Sequence, residues 1–333
     1  MSTIYSFIKE KRAKNPIVAN SCPDKSVPLY ALDVQSRSIL PRLLSSGVPF
    51  FKPNIGILDP NITSDAVIPF SYPWMVGINV CDKATQKCVH CDGVLIPWHA
   101  DNDAKSIASD CVLTAAHCVK NASNGEWFQP FDIEVIAGNH GQNLFEAFEQ
   151  HRVAATVYTH AGYGGGEDPE MYDIALIRTR ELIYLNKYTI PVRLPERHFP
   201  ANPRRCIVAG WTDPTIRGQM STVLKQARMK ILSNDQCASK SQDRLPLCAK
   251  GIDHGAICPA ESSGPIVCPE QIGSEEAFVV YGITPLTGGD SCFSKPIAFT
   301  QLFSHMNWIK TVADDSIRKL FLNKHVVEKE EKN

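Results

Sequence analysis

The chemistry in this chain starts from a histidine beside a cysteine, at the end of an apolar run: Val112-Leu113-Thr114-Ala115-Ala116-His117-Cys118-Val119. Strand-type residues give way there to two alanines. Packing would hold His117 where strand turns to loop, with its ring free to face a cleft. An imidazole so placed suits general acid–base work near neutral pH; taken alone, it equally suits a structural role. Two later stretches supply partners. In Tyr172-Asp173-Ile174-Ala175-Leu176-Ile177-Arg178 one carboxylate stands at the mouth of an apolar strand. Once buried it needs a hydrogen-bond donor, and an imidazole N–H is the donor an orienting acid would use. In Cys258-Pro259-Ala260-Glu261-Ser262-Ser263-Gly264-Pro265 small residues make a tight turn that runs on to Cys268. Such a turn can lift a hydroxyl out of the backbone and aim neighbouring N–H groups at one point, as an oxyanion hole requires. Asp173 alone could be a strand-edge acid, and Ser262 an ordinary turn serine. Together, in the order His, Asp, Ser, they read as a nucleophilic triad: Ser262 as nucleophile, His117 as base, Asp173 as orienting acid.

At these residues the chain resembles the trypsin/chymotrypsin-like serine protease family. The His and Asp motifs match closely. Ala209-Gly210-Trp211 after Cys206 resembles the family's Gly-Trp landmark, Tyr72-Pro73-Trp74-Met75-Val76 its first core strand, and Trp308-Ile309 its C-terminal helix. The likeness spans roughly residues 66 to 312. It implies two antiparallel six-stranded β-barrels with a C-terminal helix, His117 and Asp173 from the first barrel, Ser262 from the second, and the N–H groups of Ala260 and Ser262 as oxyanion donors. It also implies the disulfides Cys91–Cys118, Cys206–Cys268, Cys237–Cys248 and Cys258–Cys292, each closing a loop and stabilising by about 2–4 kcal/mol.

Three departures from the family pattern stand out. Its Gly-Asp-Ser-Gly-Gly-Pro motif reads Ala260-Glu261-Ser262-Ser263-Gly264-Pro265 here. If Ala260 needs positive φ, its Cβ costs about 1–2 kcal/mol and turns one N–H away; Ser263 adds bulk in the same turn. The region matching the family's activation site, Asn61-Ile62-Thr63-Ser64-Asp65-Ala66, holds neither a basic residue nor an Ile-Val pair. The specificity pocket maps to Ala256 at its base, Pro285-Leu286-Thr287 along its wall, and Ile297 where a glycine often sits. With no acid at the base and branched side chains at Thr287 and Ile297, it would accept a small apolar group or close, not Arg or Lys. The expected activity is that of a serine endopeptidase on protein or peptide substrates, open to protein inhibitors. The alternative is a catalytically impaired homologue that binds a protein partner.

Composition fits an enzyme or a binding protein outside the cell. The chain has 333 residues, 44% of them hydrophobic, enough for a large core in one or two domains. A net charge of −1 gives no nucleic-acid footprint, and no apolar run is long enough to span a membrane. Twelve cysteines suit an oxidising compartment. Residues 1–14 carry Lys9, Glu10, Lys11, Arg12 and Lys14 without an apolar stretch behind them, unlike a secretory signal. The expectation is therefore an extracellular protein with an incomplete start, with Asn61-Ile62-Thr63 and Asn121-Ala122-Ser123 as glycosylation acceptors.

Residues 1–65, broken by Pro16, Pro23, Pro28, Pro41, Pro49, Pro53 and Pro60, read as an irregular, propeptide-like extension, with a short helix available at 38–46. From Val67 short β-type runs follow at 75–80, 93–96, 133–137, 154–158 and 174–177, then at 206–209, 225–231, 266–268, 278–284 and 297–301. That spacing alone predicts an all-β barrel or sandwich. The domain would cover 66–312, with barrels at about 66–190 and 200–300. A helix is predicted at 303–312, with a further stretch at 317–320 able to extend it, and residues 313–333 form a charged tail. Residues 98–109 read as an insertion and 162–170 as a Gly-rich loop. Cys22, Cys81, Cys88 and Cys111 can pair in three ways, each with one tie from the extension to the barrel; Cys81, Cys88, His90 and Cys91 also allow a zinc reading. No cofactor is expected. The one cation to consider is Ca²⁺ at Glu146 and Glu149, in the hairpin after Ala137-Gly138-Asn139, where relatives bind it; an ordinary solvated acidic loop is the other reading.

Overall fold

Among the described residues, alternating branched and small side chains build thirteen strands, and twelve of them close into two rings. The computed structural model describes residues 45–53, 65–82, 85–102, 106–122, 124–141, 146–164, 169–212, 220–233, 236, 246–252, 263–286 and 296–314. The first ring comprises β2 (Met75–Asp82), β3 (Lys87–Leu95), β4 (Ala108–Thr114), β5 (Ile133–Ala137), β6 (Gln150–Thr159) and β7 (Ala175–Tyr184). They close as a barrel in the order β2-β3-β4-β7-β6-β5. The second comprises β8 (Cys206–Thr212), β9 (Met220–Ile231), β10 (Leu247–Gly251), β11 (Pro265–Ile272), β12 (Glu275–Ile283) and β13 (Ile297–Gln301). Its order is β9-β10-β13-β12-β11-β8, and the β8–β9 pairing returns the sheet on itself. The two-residue β1 (Asp65–Ala66) adds to β9. Closure leaves no long free sheet edge.

Branched side chains fill both rings. Val76, Ile78, Val94, Val112, Val135 and Ile177 are buried in the first; Val208, Met229, Leu247 and Phe299 are buried in the second. A short 3₁₀ turn, Phe303–His305, leads into the helix α1 (Met306–Ala313), which buries Ile309, Val312 and Ala313. The runs expected at 133–137 and 297–301 are strands at those bounds, and the others are longer than read. Ala108 and Ser109, read as the end of an insertion, begin β4. The stretch 317–320 lies outside the described residues, as does the expected helix at 38–46 apart from Ser45 and Ser46, which form a turn.

Part of the N-terminal extension packs against the domain. Gly47 N–H donates to Pro191 O and Gly47 O accepts from Phe278 N–H, both at 2.7 Å. Only glycine fits there: φ is +78°, and a Cβ would come within 2.2 Å of Phe278 O. Phe51 then stacks on Tyr188 at 5.9 Å, beside Phe70 and Phe148.

The cysteines answer one open question. Cys91–Cys118 and Cys206–Cys268 are bonded as the resemblance implies, and Cys248 is also in a disulfide. Cys81 and Cys88, directly opposite in the β2–β3 ladder, bond to each other. Cys111 is a free, buried thiol. None of Cys81, Cys88 and Cys111 is therefore bonded to Cys22, and the sulfurs of the zinc reading are committed to disulfides. Cys22, Cys237, Cys258 and Cys292 lie outside the described residues.

One buried ion pair locks α1 to the first barrel. Arg178 on β7 and Asp110 on β4 are fully buried and meet through 2.8–3.0 Å bonds. The guanidinium also donates to Ala313 O at 2.8 Å, at the end of α1. The Cys111 thiol donates to Asp110 Oδ1 at 3.3 Å, and burial together with the Asp110 charge pushes its pKa up. Removing one partner leaves a buried charge uncompensated. Arg178→Met should therefore cost about 3–5 kcal/mol, read as a lower urea midpoint, and Asp110→Leu in the same chain should return most of it.

Candidate active site

Antiparallel register brings the first two candidate residues together. In the β4–β7 ladder Thr114 sits opposite Ala175. Three residues past Thr114 and two before Ala175, the chain reaches His117 and Asp173 on the same side. His117 rides a 3₁₀ turn, Ala116–Val119, whose small first residue is buried. Another, Pro169–Tyr172, delivers Asp173.

Asp173 is 1% exposed and its carboxylate accepts three N–H groups. Oδ1 takes the His117 backbone N–H at 2.8 Å. Oδ2 lies 2.7 Å from His117 Nδ1 and accepts the Leu286 backbone N–H at 2.8 Å. A carboxylate in that position puts the ring proton on Nδ1 and leaves Nε2 as the acceptor. Nε2 is 3.5 Å from Cys118 Sγ, within the Cys91–Cys118 disulfide. From the second barrel, Thr300 Oγ1 donates to Asp173 O at 3.3 Å. Tyr163, close by, has its pKa pushed up to about 12, by burial first and then by the Asp173 charge.

Ser262, Ala260, Glu261, Ala256 and Thr287 lie outside the described residues, so the Ser turn is seen only from Ser263 onward. Ser263 is fully buried. Its Oγ donates to Asp92 O at 2.6 Å and accepts Asp92 N–H at 2.9 Å. Thr114 Oγ1 donates to the same carbonyl at 2.9 Å, and Trp211 N–H reaches Asp92 Oδ1 at 3.3 Å. The residue after Ser262 is thus pinned to the barrel that carries His117. Of the expected pocket residues, Pro285 is buried and Leu286 is 48% exposed at the cleft. Ile297 is buried in the second barrel's core with Val208 and Phe299.

A cleft of about 790 Å³ opens beside His117, lined by His90, Lys120, Asn121, Tyr163 and Leu286 among others. Asn121, an expected glycosylation acceptor, donates to Asp82 Oδ2 at 3.2 Å; Asn61 lies outside the described residues. The group of potential metal-binding side chains among the described residues is Cys91, His117 and Cys118. Its two sulfurs form a disulfide and are not thiolate donors. Glu146 accepts the His140 backbone N–H at 2.5 Å and Glu149 lies 3.3 Å from His151 Nε2, so both carboxylates considered for Ca²⁺ have protein partners. Sequence reasoning missed Leu286 as a donor, because the group is a backbone N–H. It also missed Lys120 and Tyr163, which carry no motif.

Two barrels with an acid–imidazole pair in a cleft between them define a chymotrypsin-like serine protease fold. Residues 64–309 match the Trypsin family model, and the chain belongs to that family. Among its relatives is the chymotrypsin-like elastase family member 1 of Macaca fascicularis, 27% identical over 227 residues, which cover 66% of this chain and 81% of the relative. The Rattus norvegicus protein of that name is 26% identical over 65% of this chain and 79% of its own length. The Homo sapiens protein is 28% identical over 62% and 78%.

His90 gives this site a pH signature. Its Nδ1 pairs with Asn79 Oδ1 at 2.9 Å, and burial lowers its pKa from 6.5 to about 4. Asp92 Oδ1, 3.9 Å from Nε2, is too distant for a hydrogen bond, and desolvation prevails. The unfolded ring takes up its proton first, so the neutral native ring is fully stabilising above pH 6.5 and loses that contribution as pH falls towards 4. An NMR titration of the His90 Cε1 proton should show a midpoint near 4; a midpoint near 6.5 would mean a solvated ring.

Proposed function

We propose that this protein is a secreted serine endopeptidase with Ser262, His117 and Asp173 as its triad. The observation that carries the reading is the buried Asp173 carboxylate paired with His117 Nδ1. That arrangement leaves Nε2 to take the Ser262 proton and later return it to the leaving amine. Asp173 holds the tautomer and stabilises the imidazolium. The acyl group passes to Ser262, and the N–H groups of Ala260 and Ser262 meet the tetrahedral oxyanion. None of these steps calls for a cofactor. The relatives' name, elastase, describes peptidases and supports the class of reaction. With Ala256, Pro285, Leu286, Thr287 and Ile297 around the pocket, the residue before the cut bond is small and apolar, not Arg or Lys. The disulfides suit an extracellular setting, with Asn61 and Asn121 as glycan acceptors. The domain spans 66–312, flanked by the extension 1–65 and the tail 313–333.

The second reading, a homologue that binds protein without turnover, is favoured by the Ser turn itself. Ala260 and Ser263 replace two glycines, and residues 61–66 hold no activation site. One lost oxyanion donor lowers the rate by about 10²–10³. The distinguishing experiment is labelling with a fluorophosphonate probe, beside a Ser262→Ala control. Stoichiometric reaction at Ser262, absent in the control, is expected. No reaction, before or after limited proteolysis of residues 1–65, would leave the binding reading. In active protein, peptide anilides with Ala or Val before the bond should be cut faster than those with Arg.

A further inference from the structure

We propose that Ser263 is a positioning residue: its hydroxyl, clasped to Asp92, sets where Ser262 stands relative to His117, and does so in the uncut chain. The inference rests on the endopeptidase reading above. Ser263 is fully buried, and its Oγ donates to Asp92 O at 2.6 Å while accepting Asp92 N–H at 2.9 Å. A hydroxyl that both gives and takes a bond with one residue's backbone cannot turn away without losing both. The next residue is held from the other side. Gly264 O accepts the Thr284 N–H at 3.1 Å and the Thr284 hydroxyl at 2.7 Å. Pro265 then enters β11 opposite Ile283.

Both anchors lead back to the imidazole. Asp92 follows Cys91, whose disulfide partner Cys118 follows His117. Asp92 O also accepts the hydroxyl of Thr114, three residues before His117. On the other side, Leu286 lies two residues past Thr284. Its N–H donates to Asp173 Oδ2, the oxygen paired with His117 Nδ1. Residues 263 and 264 and the ring are thus tied into one closed circuit that runs through both barrels. Ser262 is one peptide link from it, and adjacent Cα atoms stand about 3.8 Å apart. A nucleophile misplaced by about 1 Å from its base loses about 10² in rate, and this circuit fixes the distance that matters. Every group in it lies between Cys91 and Leu286, so no chain end takes part. The lack of a basic residue or an Ile-Val pair at 61–66 is then no bar to turnover.

The test measures how fast a fluorophosphonate probe labels Ser262 in full-length protein whose intact mass shows no cut. Wild-type protein should label in that form, with little gain after limited proteolysis of residues 1–65. Ser263→Ala, which removes both bonds to Asp92, should label about 10²-fold more slowly. With a peptide substrate its kcat should fall by the same factor at unchanged KM. Ser263→Thr, which keeps the hydroxyl, should stay near wild type. Arg178→Met, destabilised at the α1 lock, should label at the wild-type rate once folded, so lost stability alone does not imitate the effect. Should Ser263→Ala not fold, Thr284→Val carries the test: it loses the hydroxyl bond to Gly264 O and should label about tenfold more slowly, the size of one hydrogen bond. Ser263→Ala labelling as fast as wild type, or Arg178→Met slowed as much as Ser263→Ala, overturns the positioning role and leaves the endopeptidase reading standing. So does wild-type protein that labels only after proteolysis. No labelling in either form sinks both.

Discussion

The site depends on one buried charge. A carboxylate taken out of water loses several kcal/mol of solvation and stays ionised in a fold only if donors replace the water. Asp173 meets that demand with three N–H groups, two from His117 and one from Leu286. His117 follows β4 in the first barrel, while Leu286 follows β12 in the second. The carboxylate is therefore fully satisfied only when the barrels are docked. The β4–β7 register, the small residues before His117 and the hydroxyl of Thr300 all serve that requirement.

Asp92 makes a second joint of the same kind. Its backbone carbonyl and N–H, and its buried side chain, are met by Ser263 and Trp211 from one barrel and Thr114 from the other. Ser263 looks in sequence like added bulk where the family carries glycine. In the fold its hydroxyl bonds both the carbonyl and the N–H of Asp92, so the substitution brings two hydrogen bonds to a buried strand.

How much of this was legible depended on whether the signal was local. Strands with simple alternation, such as Ile133–Ala137, were read at their bounds. Leu247–Gly251 was missed, because Lys and Gly interrupt a short run. The start of β4 was misread because Ser109 and Asp110 look like loop residues; their burial is explained by Ile96 O and by Arg178, neither of them near in sequence. His117 and Asp173 were legible as motif residues. The Leu286 N–H has no side-chain identity to read, and the Ser263–Asp92 clasp joins positions 171 apart. Pairing of Cys81 with Cys88 became a fact only once the β2–β3 hairpin set them face to face.

The acid–imidazole pair cannot by itself separate an enzyme from a binding protein. Once Asp173 is buried, losing the His117 ring would leave its charge short of a donor, so the fold keeps the pair whether or not a peptide bond is cut. The same holds for the cleft: Lys120, Tyr163 and Leu286 line it with or without a nucleophile in reach. What catalysis adds is confined to the donors around Ser262. Donors of that kind would stabilise charge that exists only in the transition state. The replacement of glycine by Ala260 therefore bears on turnover more than any feature of the His117–Asp173 pair.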